Sequence, residues 1–413
     1  MDNAFILAGW ILSLLALGQA QEEIVFTRGG DLWLMATDGQ KQRPLTQTDV
    51  REEAPACSPE GEWIAYQVYD GARRAYDIWV MDAEGTRPRT LVLNGHSPAW
   101  SPSGGEVAFV SDRQGSPDIW LVEREGRQPR PLIASPEPEI APAWSPLGDR
   151  LAFIHLHYRK NAAGELLGCT SRVMIREFHG QLGEVARLDS VELTKIAWSR
   201  TGNLILAGTP WRRSTGNSRL WRLSADGKAL RPLTASWEWS ESAPACAPGG
   251  HWFAFVQRHG DLQAIWRMSE EGEKRVPLTA GDAGDDGPAF LPRGASRGVR
   301  VLIRGQRAFF TPAPHLVGKE VMLPARSACR ALGIRLRWNP ASQVLQLSRP
   351  PHRVRINLRH HAAKRDGQPV NLDSPPRFIS GVMVLPLRQV AAWLGLPWQW
   401  DPHERILRLG AAG

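Results

Sequence analysis

Short apolar runs separated by turn signals set the pattern of this chain. Residues 97–132 read SPAWSPSGGEVAFVSDRQGSPDIWLVEREGRQPRPL. Within this stretch Val107–Val110 and Ile119–Val122 are strand-length apolar runs. Ser101-Pro102-Ser103-Gly104 reads as a tight turn, Pro fixing φ and Gly accepting a positive φ. The unit is therefore a small antiparallel sheet of about four strands. A lone sheet of that size leaves apolar surface uncovered, so copies of it must stack.

Copies are present. Full units start at Pro55 (PACSPEGEWIAY), Pro98 and Pro142 (PAWSPLGDRLAF), a degenerate one at Ile196 (IAWSRTGNLIL) and another at Pro244 (PACAPGGHWFAF). Residues 24–46 lack the opening of the unit, and PAFLPRG from Pro288 supplies only that opening. The steps between anchors are 43, 44, 54, 48 and 44 residues, the period of a propeller blade. Five whole units and one split between the ends of the array make six. A split unit closes a ring and protects the sheet edges. Pro44, Pro131, Pro232 and Pro277 fall in the last strand of their units. Proline cannot donate to a ladder, so that strand is the outermost. The reading is a mainly β protein: a six-bladed β-propeller with split-blade closure.

Pro-Ala-Trp-Ser-Pro-x-Gly, Ser-Asp-Arg and Asp-Ile-Trp, at 98–104, 111–113 and 118–120, resemble the TolB-type propeller repeat over about residues 24–294. The third unit departs from it, with an insert from His155 to Ser171 in place of Asp-Ile-Trp. The resemblance implies an envelope protein that binds partners, although the repeat also precedes peptidase domains.

Beyond Gly298 a second duplication begins, with a step of 62 residues. Leu323-Pro324-Ala325-Arg326 matches Leu385-Pro386-Leu387-Arg388, and Trp338-Asn339-Pro340 matches Trp400-Asp401-Pro402. Each half reads as strands, a short helix (Ala325–Leu332, Leu387–Leu394) capped by Gly, then two strands. The segment is a small C-terminal α+β domain of two similar halves, and it resembles the copper amine oxidase N-terminal-like domain over about 299–409. In that family the resemblance implies an accessory, stalk-like module rather than the copper-bearing core. No Tyr occurs after Gly298 to form a quinone, and adjacent His360 and His361 point apart on a strand. The boundaries are a signal peptide at 1–20, the propeller at 21–294, a linker at 295–298 and the second domain at 299–413.

Charge changes the picture. The chain carries +8, but residues 299–413 hold 18 Lys and Arg against 5 Asp and Glu, leaving the rest at −5. A basic module on an exported chain is expected to hold an anionic envelope polymer. Arg353, Arg355 and Arg359 alternate on one strand face, with Lys364 and Arg365 close by. Nucleic acid is not expected, since no motif for it occurs. In the propeller the junctions between units are acidic: Asp49, Glu52 and Glu53, Glu137 and Glu139, Glu192, Glu238 and Glu241, then Asp282, Asp285 and Asp286. Such loops cluster at one mouth of the channel, where they would receive an envelope protein or peptide. The alternatives are a carbohydrate or cation at that mouth. The opposite charges also allow the mouth to dock on the basic domain.

Catalysis is not expected. Gly294-Ala295-Ser296-Arg297-Gly298 fits G-x-S-x-G, but a basic loop precedes it and too little chain follows for a hydrolase domain. A hydrolase with an unrecognised site is the remaining enzymatic alternative. His155 and His157 share a strand face beside Tyr158 without a third ligand. No cofactor and no metal is expected. The four cysteines lack metal spacing and read as buried thiols, Cys169 in an irregular insert and Cys329 in a helix. Ala4–Leu17 followed by Gly18-Gln19-Ala20 reads as a secretory signal with the wrong charge at Asp2. The expected location is the periplasm or cell surface, with a membrane anchor if the signal stays uncleaved.

Overall fold

The computed structural model describes residues 22–410 apart from 179–180, 212–215, 225, 235–237, 251, 294–297, 311–312 and 380–381. The expected signal peptide and Ser296 lie outside the described residues. Six four-stranded sheets follow one another from Glu23 to Leu291. The first whole blade contains Glu52–Cys57, Trp63–Asp70, Ala75–Asp82 and Arg89–Val92 in that order. The ring closes as the repeat register predicts, with Asp286–Leu291 pairing antiparallel to Glu23–Arg28. Pro44, Pro131, Pro232 and Pro277 each lie in the outermost strand of their sheet.

Apolar side chains from neighbouring blades interdigitate. Ile78 and Val80 of the first blade pack with Val107, Phe109 and Trp120 of the second. In the three blades that carry the Asp-x-Trp motif, its Asp ties the blade to its exit loop. Asp31, Asp77 and Asp118 accept the backbone N–H of Thr48, Asn94 and Ser135 at 2.9, 2.9 and 3.4 Å. The insert in the third blade is not irregular. It prolongs two central strands into the hairpin Arg150–Lys160 and Leu166–Glu177, with Cys169 buried in the second. All four cysteines are free, and Cys57 and Cys246 are half-buried rather than buried.

In the C-terminal domain the helices Ala325–Ala331 and Leu387–Trp393 occupy their expected places. The two halves are not separate units, however. Glu320–Pro324 pairs antiparallel with Val382–Pro386, and Arg300–Ile303 pairs parallel with Ile406–Leu409. One core runs through both, including Cys329, Leu332, Val390 and Leu394. The first half also continues into a five-stranded meander from Arg335 to Val370.

The domains do meet, but away from the acidic junctions. The contact lies on the Ser-Pro-x-Gly turns of three successive blades. The Gly298 N–H donates to Pro59 O at 2.6 Å, and that of Ala313 to Leu147 O. Glu60, 1% exposed, receives Arg307 at 2.8 Å and Arg124 at 3.4 Å. Glu62 pairs with Arg300 and, at 3.3 Å, with Arg307. Gly104 has φ +73°, and a Cβ there would lie 2.5 Å from Glu60 Oε2. A side chain there would strain the backbone and push the Glu60 carboxylate out of its place in this clasp.

Candidate functional site

The inner strand of each blade lines the channel, and each is irregular at the same place. Register shifts fall between Glu53 and Ala56, His96 and Ala99, Ile140 and Ala143, Leu193 and Lys195, and Ser242 and Ala245. Ala54, Ser97, Ala141, Ala243 and Gly287 have φ between +46° and +55°, each just before a proline. The fourth blade has no proline there. These are β-bulges, which free a residue from the ladder and re-aim its neighbours. Ala54, Ser97, Ala243 and Gly287 border a cavity of about 910 Å³ at the channel mouth.

The bulges sort the junction acids into two rows. Glu52, Glu139, Glu241 and Asp285 are buried inside the blades, at 0–3% exposure. Thr46 Oγ1 donates to Glu52, Ser135 Oγ to Glu139 at 2.5 Å, and Arg275 to Glu241 at 2.5 Å. Arg28 holds Asp285 through Nε–Oδ1 at 2.5 Å and Nη2–Oδ2 at 2.9 Å. Burial pushes the Glu52 and Glu139 carboxyls above their ordinary range. These four groups are internal ties, not a display of charge.

The neighbouring row faces the cavity. Glu53 and Asp286 border it together with Asp49, Arg51 and Lys195. Glu53 accepts from Gln67 Nε2 and the Tyr76 hydroxyl, both at 3.0 Å, and pairs with Arg51. The channel walls push the Asp286 carboxyl up, Glu53 adds to this and Lys195 opposes it. The same enclosure lowers the Lys195 ammonium against the pull of Asp286. Glu53 belongs to the first whole blade and Lys195 to the fourth, which faces it across a six-fold ring. The mouth thus carries Asp49, Glu53 and Asp286 with Arg51 on one wall and Lys195 on the other, instead of an acidic ring.

The other junction acids stand apart. Glu137 Oε2 lies 3.1 Å from His155 Nε2, and its Oε1 lies 2.5 Å from His157 Nδ1. Despite some burial, these rings hold the Glu137 carboxyl below its ordinary range. Glu192 accepts the Tyr158 hydroxyl at 2.8 Å. Asp282 and Glu238 are exposed outside the cavity lining.

On the C-terminal domain, register rather than spacing builds the basic surface. In the meander Arg337 pairs with Gln346, Gln346 with Arg355, and Arg355 with Lys364. Arg335 and Arg353 flank Ser348 in the adjacent row. Val354 and Ile356 point into the core, so Arg353 and Arg355 point out, as their alternation predicts. Arg335, Arg337, Arg353, Arg355 and Lys364 are all exposed, and none has an ion-pair partner among the described residues. Arg359 is not on this face, because the strand ends at Asn357 and Arg359 sits in the turn. Arg365 lies opposite Val354 on the other face and contacts His352 at 3.0 Å. Arg335 and Arg337 were absent from the expected set, although R-x-R before Trp338 carries the same alternation as 353–355.

Comparison with known proteins agrees with this architecture. A family model described as the TolB beta propeller domain (PD40) matches residues 24–236, and one described as the copper amine oxidase N-terminal domain matches 302–409. TolB from Acinetobacter baumannii superposes with a TM-score of 0.53 at 19% identity, over 68% of this chain and 70% of that one. Two solved structures of other names share the fold. A chain of a nidogen/laminin complex has a TM-score of 0.51 at 10% identity, over 65% and 98% of the two chains. Hydrazine synthase of Kuenenia stuttgartiensis reaches 0.52 at 12% identity, over 71% and 48%. These likenesses show the fold alone. The donor set does not suit copper. Among the described residues no three His, Cys, Asp or Glu converge on a metal position, and His352 is already paired with Asp366 at 2.9 Å.

Proposed function

The chain belongs to the TolB β-propeller family, and from that premise we propose that it is a noncatalytic binding protein of the cell envelope. Its C-terminal domain anchors it to an anionic envelope polymer, and its propeller mouth receives a peptide segment of a partner protein. The observation that carries this reading is the outer face of the meander. Arg335, Arg337, Arg353, Arg355 and Lys364 lie in adjacent rows without carboxylate partners. Guanidiniums so placed suit repeated phosphate or carboxylate groups, which they can bind bidentately. At the mouth, carboxylates facing an ammonium across about 910 Å³ suit a peptide bearing both signs of charge. A free cation suits that cavity less well, because Lys195 and Arg51 share it.

Co-sedimentation of the full chain with purified wall teichoic acid on sacculi, and with lipopolysaccharide, tests the anchor. Binding is expected at low salt, with at least a tenfold loss in the Arg335→Glu/Arg337→Glu/Arg353→Glu/Arg355→Glu variant and a comparable loss near 0.5 M salt, where screening is short-ranged. A charge-reversed variant that sediments like the wild type overturns it.

A further inference from the structure

A second cavity, of about 420 Å³, opens on the C-terminal domain between the helix Leu387–Trp393 and the edge strand Trp398–Asp401. It lies within the size range of small-ligand sites, and the envelope-anchor reading makes no use of it. Its walls combine Glu320, Asn371, Asp373, Arg388, Gln389 and Trp398. Trp398 is 38% exposed although it is among the largest apolar side chains. The Arg388 guanidinium lies over its ring, 4.8 Å from the centroid.

The hydrogen bonding around this cavity is incomplete. Gln389 Nε2 donates to Asn371 O and to Asp373 Oδ2, both at 3.1 Å. Gln389 Oε1, Glu320 Oε2 and Arg388 Nε are shielded from solvent and have no hydrogen-bond partner among the described residues. Buried polar atoms are rarely left unmatched, and each one costs stability. These three atoms belong to residues that line one cavity, beside an indole that stays partly exposed next to Arg388.

We propose that this cavity is a carbohydrate subsite taking one or two neutral pyranose units of a glycan. Hydroxyls both donate and accept, so they suit a wall that offers the exposed Asp373 carboxylate and Asn371 amide beside the Gln389 amide and the Arg388 guanidinium. The apolar C–H face of a pyranose ring covers the exposed indole of Trp398, as amphipathic aromatic surfaces favour. Two carboxylates against one guanidinium give the wall a net negative charge, which disfavours uronic acids. The basic meander face would contact the acidic part of the same polymer, but the sugar contact stands without it.

Titration calorimetry of the full chain with cellobiose, N,N′-diacetylchitobiose and digalacturonic acid tests the subsite. Wild type is expected to bind at least one of the two neutral disaccharides, to bind digalacturonic acid at least tenfold more weakly, and to keep its affinity in 0.5 M salt. Trp398→Ala and Asp373→Ala, both at exposed positions, should each weaken that binding at least tenfold while melting like the wild type. The Arg353→Glu/Arg355→Glu variant should bind the sugar unchanged, which separates this site from the polymer anchor. Lack of binding to both neutral sugars, or binding that both cavity variants retain, overturns the proposal.

Discussion

At the inlet of the propeller, acidic residues lie one position apart in sequence and meet opposite fates. Glu52, Glu241 and Asp285 turn into the blades, and Glu53 and Asp286 turn into the channel. On the C-terminal meander, by contrast, basic residues two positions apart share one face, and that face is left open. The difference is one of backbone. A regular strand displays every second residue, so alternation can be read directly as a surface. A bulged strand assigns adjacent residues to core and cavity, and composition alone cannot say which is which. A charged stretch therefore marks a surface only where the strand is regular.

The largest effect is expected from opening an internal tie. Asp285 is fully buried and Arg28 is its partner. Arg28→Ala leaves a buried carboxylate unmatched, which typically costs about 3–5 kcal/mol. The low end is expected because Arg28 itself reaches solvent. Urea denaturation of the propeller should show the loss, with partial recovery when Asp285→Asn is added. If Arg28→Ala is stable to within 1 kcal/mol, the pair is not an internal tie.

The clasp between the domains gives the next largest effect. Reversing Arg300 and Arg307 to Glu places like charges against Glu60 and Glu62, at a cost on the order of several kcal/mol. The expected result is separate melting of the two domains and a larger radius of gyration in solution scattering. Identical scattering from the variant and the wild type would remove the clasp. Removing the displayed charges should behave differently. Arg353→Glu/Arg355→Glu is expected to leave stability within about 0.5 kcal/mol, as for exposed positions generally, while polymer binding falls at least tenfold. A large stability loss would mean that these arginines are structural.

Much of this molecule was legible in its sequence, and the exceptions share a cause. The propeller, its closure and its outer strands follow from where Pro288 and Pro44 fall in the repeat. The helices follow from the 62-residue step. Pairing between the two halves was not legible, because a duplication gives equivalence and not partnership. The Ser-Pro-x-Gly segments read as tight turns, yet three of them carry the second domain. Pro59, Gly104 and Leu147 acquire that role only once the blades stand side by side. Cys57 and Cys246 read as core for the same reason: the repeat fixes their position in the blade but not the neighbour that covers it.

The smallest effect is expected at the channel wall, in its pH dependence. Asp286 has an ordinary carboxyl value near 3.8, and in the folded chain burial and Glu53 raise it against Lys195. At pH well below 3.8 the group is protonated in both folded and unfolded chains and contributes nothing. As pH rises from there, the unfolded chain releases the proton first, so stability falls until the folded carboxyl has also ionised, and then stays level. Asp286→Asn removes this decline. Its stability relative to wild type should therefore grow between about pH 3.5 and 7, by a small amount because the Asp286 carboxylate is itself exposed at the mouth. Asp285→Asn should do the opposite at neutral pH, destabilising the propeller because its charge is matched by Arg28. Two adjacent aspartates giving shifts of opposite sign in denaturation at pH 7 would show the two rows directly. Shifts of the same sign would mean that the bulge at Gly287 does not separate them.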